Sequence, residues 1–337
     1  MPGLDIVGLG FCCTDELLLL SEIPPAEGRA TIRRRDRQGG GMVSTAMAAA
    51  ARLGGRAGFL GAVGDDWRGR WILEDFRRNG VDVSRLVVRP GATSHETVVL
   101  VDERSGARSF LTDRGNAKEI QPNEVDREYV TQARYLHLSD ASPVALLAAE
   151  WAHAAGAEVG FDGTHFHPMM WPILPQVDYL IVSRFFASEF ATHIAGHGLG
   201  RAAADFAGLS VQDPHVASTH PETEAPALTG EELLGPARGL REAGSRVVIV
   251  TEGERGSWCT APEGEFHVPA YQVDAVDTTG AGDVFHGAFL YALARGWDLR
   301  RSLEVASATA ALKCRALGGR AGIPTLEAVL SLVDGRA

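Results

Sequence analysis

Short apolar runs bounded by turn residues recur along this chain and alternate with longer stretches of helical periodicity. Leu4–Phe11, Arg56–Val63, Tyr135–Leu138, Glu158–Asp162, Tyr179–Val182 and Val247–Thr251 read as strands, and runs this short and apolar suit a sheet covered on both faces. Ser44–Leu53, rich in alanine, and Trp67–Asn79 read as helices that pack on such a sheet. This alternation predicts an α/β fold with a mostly parallel central sheet. A different pattern marks His95–Asp102 and Ala107–Thr112, which alternate around Ser105-Gly106 as a hairpin does. With Ala30–Arg37 the hairpin makes a small sheet apart from the main body. Residues 207–229 are rich in Ser, Thr, Pro, Glu and His and lack periodicity, which predicts a surface insertion whose His215 and His220 are solvated rather than metal-bound.

Gly8-Leu9-Gly10 after the first strand resembles the start of a dinucleotide fingerprint. The third glycine is absent, because Cys13 stands there, and Leu17–Leu20 ending at Pro24-Pro25 reads as a strand where that motif needs a helix. Composition narrows the reading further. The chain has 337 residues, 45% hydrophobic and 22% charged, which suits a globular protein of one large domain or two smaller ones. A formal charge of −11 argues against a general nucleic-acid or anionic-membrane surface. The basic run Arg33-Arg34-Arg35 with Arg37 reads as a solvated strand face. Cys12, Cys13, Cys259 and Cys314 lack zinc-type spacing and read as free buried thiols. No apolar run approaches the ~18 residues that span a bilayer, so a cytoplasmic location is expected.

The chemistry is concentrated in Asp277-Thr-Thr-Gly-Ala-Gly-Asp-Val-Phe-His-Gly-Ala-Phe289. Gly280-Ala281-Gly282 forms a flexible turn that runs into an apolar helical pattern, with Asp283 at the junction. Small residues let backbone N–H groups approach an anion, and a helix N-terminus adds partial positive charge. A carboxylate in such an anion pocket suits phosphoryl transfer, in which the turn holds the developing charge and the acid takes a proton from an incoming hydroxyl. An ordinary capped helix start is the alternative for so short a motif.

This string resembles the signature of the PfkB, or ribokinase-like, carbohydrate kinase family, and other segments extend the resemblance in family order from about residue 5 to residue 330. They are Gly39–Ala46 with Ala50–Gly54, Phe59–Asp66, Thr251–Gly256, Ala311–Cys314 and Gly318–Pro324. The resemblance implies a ribokinase-like three-layer fold, with residues 1–27, 39–91 and 116–337 as the main domain and 28–38 and 92–115 as a β-sheet lid. It implies an ATP- and Mg2+-dependent transfer of phosphoryl to a sugar hydroxyl, with Asp283 as base and Gly280, Ala281 and Gly282 as the anion hole. Asp277 becomes a candidate for a monovalent cation such as K+, with turn capping as the alternative. Asp15, Gly40, Gly41, Thr45, Arg29 and Thr112 fall on the sugar side. Thr251, Gly253, Gly256, Ser307 and Cys314 fall on the nucleotide side.

Two departures bear on that carry-over. Thr45 stands where the family often has Asn, which leaves sugar identity open. Ser183-Arg184-Phe185-Phe186 lacks the Asn-x-x-Glu pattern that helps organise magnesium, so magnesium is expected on ATP and water. Within the family the motifs are nearest to sulfofructose kinases, with Arg29 in the place of a lid lysine. The expected acceptor is a ketose or related sugar, an anionic one included. A nucleoside or other small-alcohol kinase and a non-catalytic sugar or nucleotide sensor are the alternatives. A homodimer through the lid is the expected assembly.

Overall fold

The computed structural model describes residues 3–105, 107–200 and 228–335. Residues 207–227 of the expected insertion, His215 and His220 included, and Gly106 of the hairpin turn lie outside them.

Eight strands form the main sheet, in the order Gly264–Val268, Ser257–Ala261, Val247–Thr251, Tyr179–Ser183, Glu158–Gly163, Tyr135–Leu138, Ile6–Leu9 and Ala57–Leu60. Every pairing from Val247–Thr251 to Ala57–Leu60 is parallel, and the two remaining strands add an antiparallel edge. That edge pair was not anticipated; its short strands mix Ser, Thr, Gly and Glu with apolar residues and break the clean pattern. The expected strand at 56–63 divides at Gly61, and Ala62–Gly64 pairs separately with Val87–Arg89. No helix follows Ile6–Leu9 directly; the strand Cys13–Leu20 does, which disposes of the dinucleotide motif.

Apolar residues cover both faces, as the near-continuous strands require. One core packs Ile6, Ile181 and Ile249 against the helices Met42–Arg52, Ala281–Ala294 and Leu299–Lys313. The other packs Val7, Phe161, Leu180 and Val248 against Pro143–Ala154, Arg184–His197 and Leu234–Glu242. Ala281–Ala294 is buried almost all round, so its N-terminus is the part left free for chemistry.

A second, four-stranded sheet has the order Ile32–Gly40, Cys13–Leu20, Glu96–Asp102, Arg108–Asp113. The expected hairpin and its partner strand are therefore here, but so is Cys13–Leu20, which the boundaries 1–27 and 28–38 had left with the main domain. A leucine run reads the same in either sheet, so sequence could not assign it. Leu17, Val99 and Val101 pack on Leu317, while Ile32, Phe110 and Leu111 remain exposed. The basic run lies on this sheet, where Arg35 and Arg37 reach Glu16 at 3.3 and 2.9 Å and Arg33 reaches Glu103 at 3.7 Å. Pairs this exposed contribute little stability, about 0–1 kcal/mol each. All four cysteines are unpaired and buried. No helix among the described residues is long and apolar enough to cross a membrane.

Candidate active site

The parallel strands end at a common edge, where open α/β sheets form their binding crevices. Asp162 and Thr251 sit at the ends of two of these strands, and the Gly280 turn lies beside them. Gly280 has φ 72°, and a Cβ there would stand 2.8 Å from Gly319 Cα, so the turn requires glycine on both counts. No side chain caps the helix that follows. Ala281 N–H is engaged by Thr278 O at 3.2 Å, so it is not a free donor as expected. The N–H groups of Gly280, Gly282 and Asp283 have no acceptor among the described residues. The ordinary capped-helix reading therefore fails at the turn itself: the uncapped donors are left for an anion.

One cavity of about 330 Å³ opens on this turn. It is lined by Thr251, Gly253, Gly256, Ser307 and Cys314 together with Ala281 and Gly282, so all five nucleotide-side candidates meet in one place. A Cβ on Gly282 would touch nothing within 4 Å, which leaves the turn open to a phosphate. At the missing Asn-x-x-Glu pattern, Ser183 Oγ accepts from Phe186 N–H at 3.1 Å to cap a helix, and Phe186 is buried. Neither offers a carboxylate to a magnesium ion.

On the opposite side of the turn the structure gathers acids. Asp15 lies on the small sheet with its carboxylate against the Gly40 backbone, where a Cβ would come within 2.3 Å of Oδ1. Cys13 Sγ donates to it at 3.3 Å. Burial raises Asp15, Asp162 and Asp283 above the usual carboxylate range, and the charges of Asp162 and Asp15 push Asp283 further up. Arg320 and Lys313 oppose that rise. Asp162, in a plain strand, was missed by sequence reasoning; it carried no local signal.

The other sugar-side candidates divide. Gly41 begins the helix Met42–Arg52, next to Gly40. Thr45 is buried, and its hydroxyl accepts from Arg320 Nε at 3.3 Å. Arg320 also donates to Ser44 Oγ at 2.8 Å and to Gly40 O at 3.4 Å, pairs with Asp75, and its backbone N–H donates to Gln38 Oε1 at 2.8 Å. It is the tie that holds the glycine run in place, and nothing in its short motif Gly-Gly-Arg-Ala-Gly announced that role. Arg29 is exposed in the connection between two strands of the small sheet and has no hydrogen bond or ion pair among the described residues. Thr112, exposed, pairs with Thr97 across that sheet. Neither is brought against Asp283.

Asp277 is built into the turn. Its carboxylate accepts from Thr279 N–H (2.9 Å), Thr279 Oγ1 (2.7 Å) and Gly318 N–H (2.7 Å), and these bonds lower it despite burial. Arg108, from the small sheet, donates to Thr279 Oγ1 at 2.8 Å and lies 3.6 Å from Asp277. Lys313 is fully buried, and its Nζ donates to the carbonyls of Asp277 (3.1 Å) and Thr279. A second cavity, of about 460 Å³, is lined by Gly10, Phe11, Met42, Ser139, Glu119 and Asp140 among others, and among the described residues no Lys, Arg or His lines it.

Residues 9–193 and 216–326 match the pattern of the pfkB family carbohydrate kinases. The chain is 29% identical over 333 residues to an ATP-dependent ribose-1-phosphate kinase of Halopiger xanaduensis, covering 98% of each. It is 30% identical to a 5-dehydro-2-deoxygluconokinase of Shouchella clausii, covering 98% of this chain and 95% of that one. In fold it resembles an Arabidopsis thaliana ribokinase solved with ribose and ATP, with a TM-score of 0.78, 21% identity and coverage of 98% and 99%.

Proposed function

We propose a substrate and a division of labour for this chain, which belongs to the pfkB family of carbohydrate kinases and is an ATP-dependent sugar kinase, a phosphotransferase with an alcohol as acceptor. The acceptor is a neutral ketose or related sugar. One observation carries this: uncapped N–H donors and Asp283 lie between a nucleotide-sized cavity and an acidic acceptor side. Asp15 accepts sugar hydroxyls at the Gly40-Gly41 backbone, and the sugar extends toward the cavity lined by Glu119 and Asp140, whose acids suit a polyol better than an anion.

Asp283 takes the proton of the attacking hydroxyl as its oxygen bonds to the γ-phosphorus and the bond to ADP breaks. The N–H groups of Gly280, Gly282 and Asp283 hold the charge on the passing phosphoryl. Thr251, Gly253, Gly256, Ser307 and Cys314 seat the nucleotide. Magnesium, carried on the phosphates, supplies charge neutralisation, with no carboxylate at 183–186 to hold it. Residues 13–20, 28–40 and 92–115 act as the lid, and Arg108 is its contact with the phosphate turn. Its exposed Ile32, Phe110 and Leu111 are the surface for a homodimer. In place of a bound potassium ion, Lys313 supplies the positive end to the Asp277 and Thr279 carbonyls. Turnover is then expected without K+, and a strict K+ requirement when K+ is titrated into potassium-free sodium buffer removes that assignment.

Arg29, unpaired and exposed, favours a second reading in which an anionic sugar such as sulfofructose is the substrate. ADP release over ketoses, their sulfonated and phosphorylated forms, and nucleosides tests both. Neutral ketoses should turn over fastest, and Arg29→Ala should leave them unchanged. A sulfonated sugar that leads the panel and collapses in Arg29→Ala establishes the second reading. Saturable ATP binding with no turnover of any acceptor overturns both in favour of a sensor.

A further inference from the structure

Beneath Asp283, on the side away from the nucleotide, three side chains that the phosphoryl transfer above does not use converge in the core. His137 comes from the strand Tyr135–Leu138, Asp162 from Glu158–Gly163, and His286 from the helix Ala281–Ala294, less than one turn after Asp283. Their relative exposures are 0%, 6% and 4%, so water does not reach them freely. One ligand atom from each lies within 4.8 Å of the other two. The imidazole centroids are 5.3 Å apart.

The polar atoms do not satisfy one another. His137 Nδ1 lies 3.3 Å from Gly160 O, which assigns its proton to Nδ1 and leaves Nε2 as a lone pair. That Nε2, Asp162 Oδ2 and His286 Nδ1 have no hydrogen-bond partner among the described residues although all are buried. Orphaned buried polar atoms are costly, and three in one place call for an occupant. His286 Nε2 and Asp162 Oδ1 stand 3.4 Å apart, longer than a normal N–H···O bond. Two ligands on a tetrahedral ion stand about 3.3–3.5 Å apart for metal–ligand bonds of about 2.0–2.1 Å. The widest pair must close by up to ~1.4 Å to reach that spacing, within the range of small χ adjustments.

We infer that His137, Asp162 and His286 form a binding site for one divalent transition-metal ion. Two imidazoles and a carboxylate are a donor set for zinc or a neighbouring first-row ion, whereas magnesium prefers an all-oxygen shell. The Gly160 carbonyl that receives His137 Nδ1–H is the kind of outer partner that orients a ligating imidazole. The ion ties two strands of the main sheet to the helix that carries Asp283. It is separate from the magnesium that accompanies ATP.

The test uses the full chain without an affinity tag, stripped with chelator and reloaded with Zn2+ or Co2+. Elemental analysis after gel filtration should return one ion per chain, and the Co2+ form should show the visible absorption of a four- or five-coordinate site. Zn2+ should raise the Tm. In His137→Gln/His286→Asn, checked for folding by circular dichroism, affinity should fall at least tenfold. X-ray absorption on the unmutated zinc form keeps the test independent of that variant and should show two imidazole nitrogens. No retained ion, or equal retention by wild type and variant, overturns the inference.

Discussion

On the proposed nucleotide side of Asp283, Thr251, Gly253 and Gly256 come from the end of one strand and the turn after it, and Ser307 and Cys314 from one helix and its C-cap. On the acceptor side, Asp15, Gly40, Asp162 and Arg320 come from both sheets and from the C-terminal segment. The first half is made by local chain geometry, and the second by long-range ties between side chains. A local loop can be altered with local consequences; a surface held by buried charge cannot.

Asp283 stands where the two halves meet, and its replacement gives the largest effect. Asp283→Asn should lower kcat by about 10²–10⁴-fold with little change in the affinity for ATP measured by calorimetry. Retained turnover means that the acid is not the base. Arg320→Met probes the acceptor side. Removing one partner of a buried ion pair typically costs about 3–5 kcal/mol, so a large fall in the denaturant midpoint is expected. KM for the sugar should rise more than KM for ATP in any folded fraction. Gly256→Ala probes the other half. Its φ of 98° and a Cβ only 2.1 Å from Val268 O predict strain of about 1–3 kcal/mol, read as a raised KM for ATP with the sugar KM unmoved. If both variants disturb both substrates equally, the two halves are not separate.

The smallest effect is on the pH dependence of stability. Asp283 is raised in the folded protein, so the folded state binds its proton more tightly than the unfolded chain does. Its contribution is fully present below the ordinary carboxylate value and is lost as pH rises through the raised one. Asp283→Asn should therefore gain in Tm relative to wild type between pH 5 and pH 8, by a few degrees or less. A constant difference across that range contradicts the raised value.

The same contrast decides what could be read in the sequence. The resemblance to the family marked both the nucleotide candidates and the Asp283 turn, because each lies in a contiguous motif. The parallel strands were legible for the same reason: each is a short apolar run. Asp162, His137 and His286 sit in ordinary apolar segments, and only the parallel register places them together. Thr45 is a hydroxyl on the right helix, yet the guanidinium from a distant loop claims it. Lys313 was visible as a residue of Ala-Leu-Lys-Cys, but its two carbonyl partners follow from tertiary packing. Arg29 lies in a connection of the small sheet and Thr112 on one of its strands, and no local pattern specifies where that sheet sits.

The tie from Arg320 to the Gly40 carbonyl spans 280 positions of chain, and Gln38 reaches Leu317 across 279. The ribosome makes the Gly39–Gly41 run about 280 positions before its partners in these bonds. In the nascent chain this run thus stays untied until the segment around Arg320 emerges. Truncation shortly after Cys314 removes Arg320 and Leu317 and, with Gly318, one of the bonds that hold Asp277 in the turn. Emergence of this segment, rather than formation of the main sheet, is the event that ties the glycine run and the phosphate turn together.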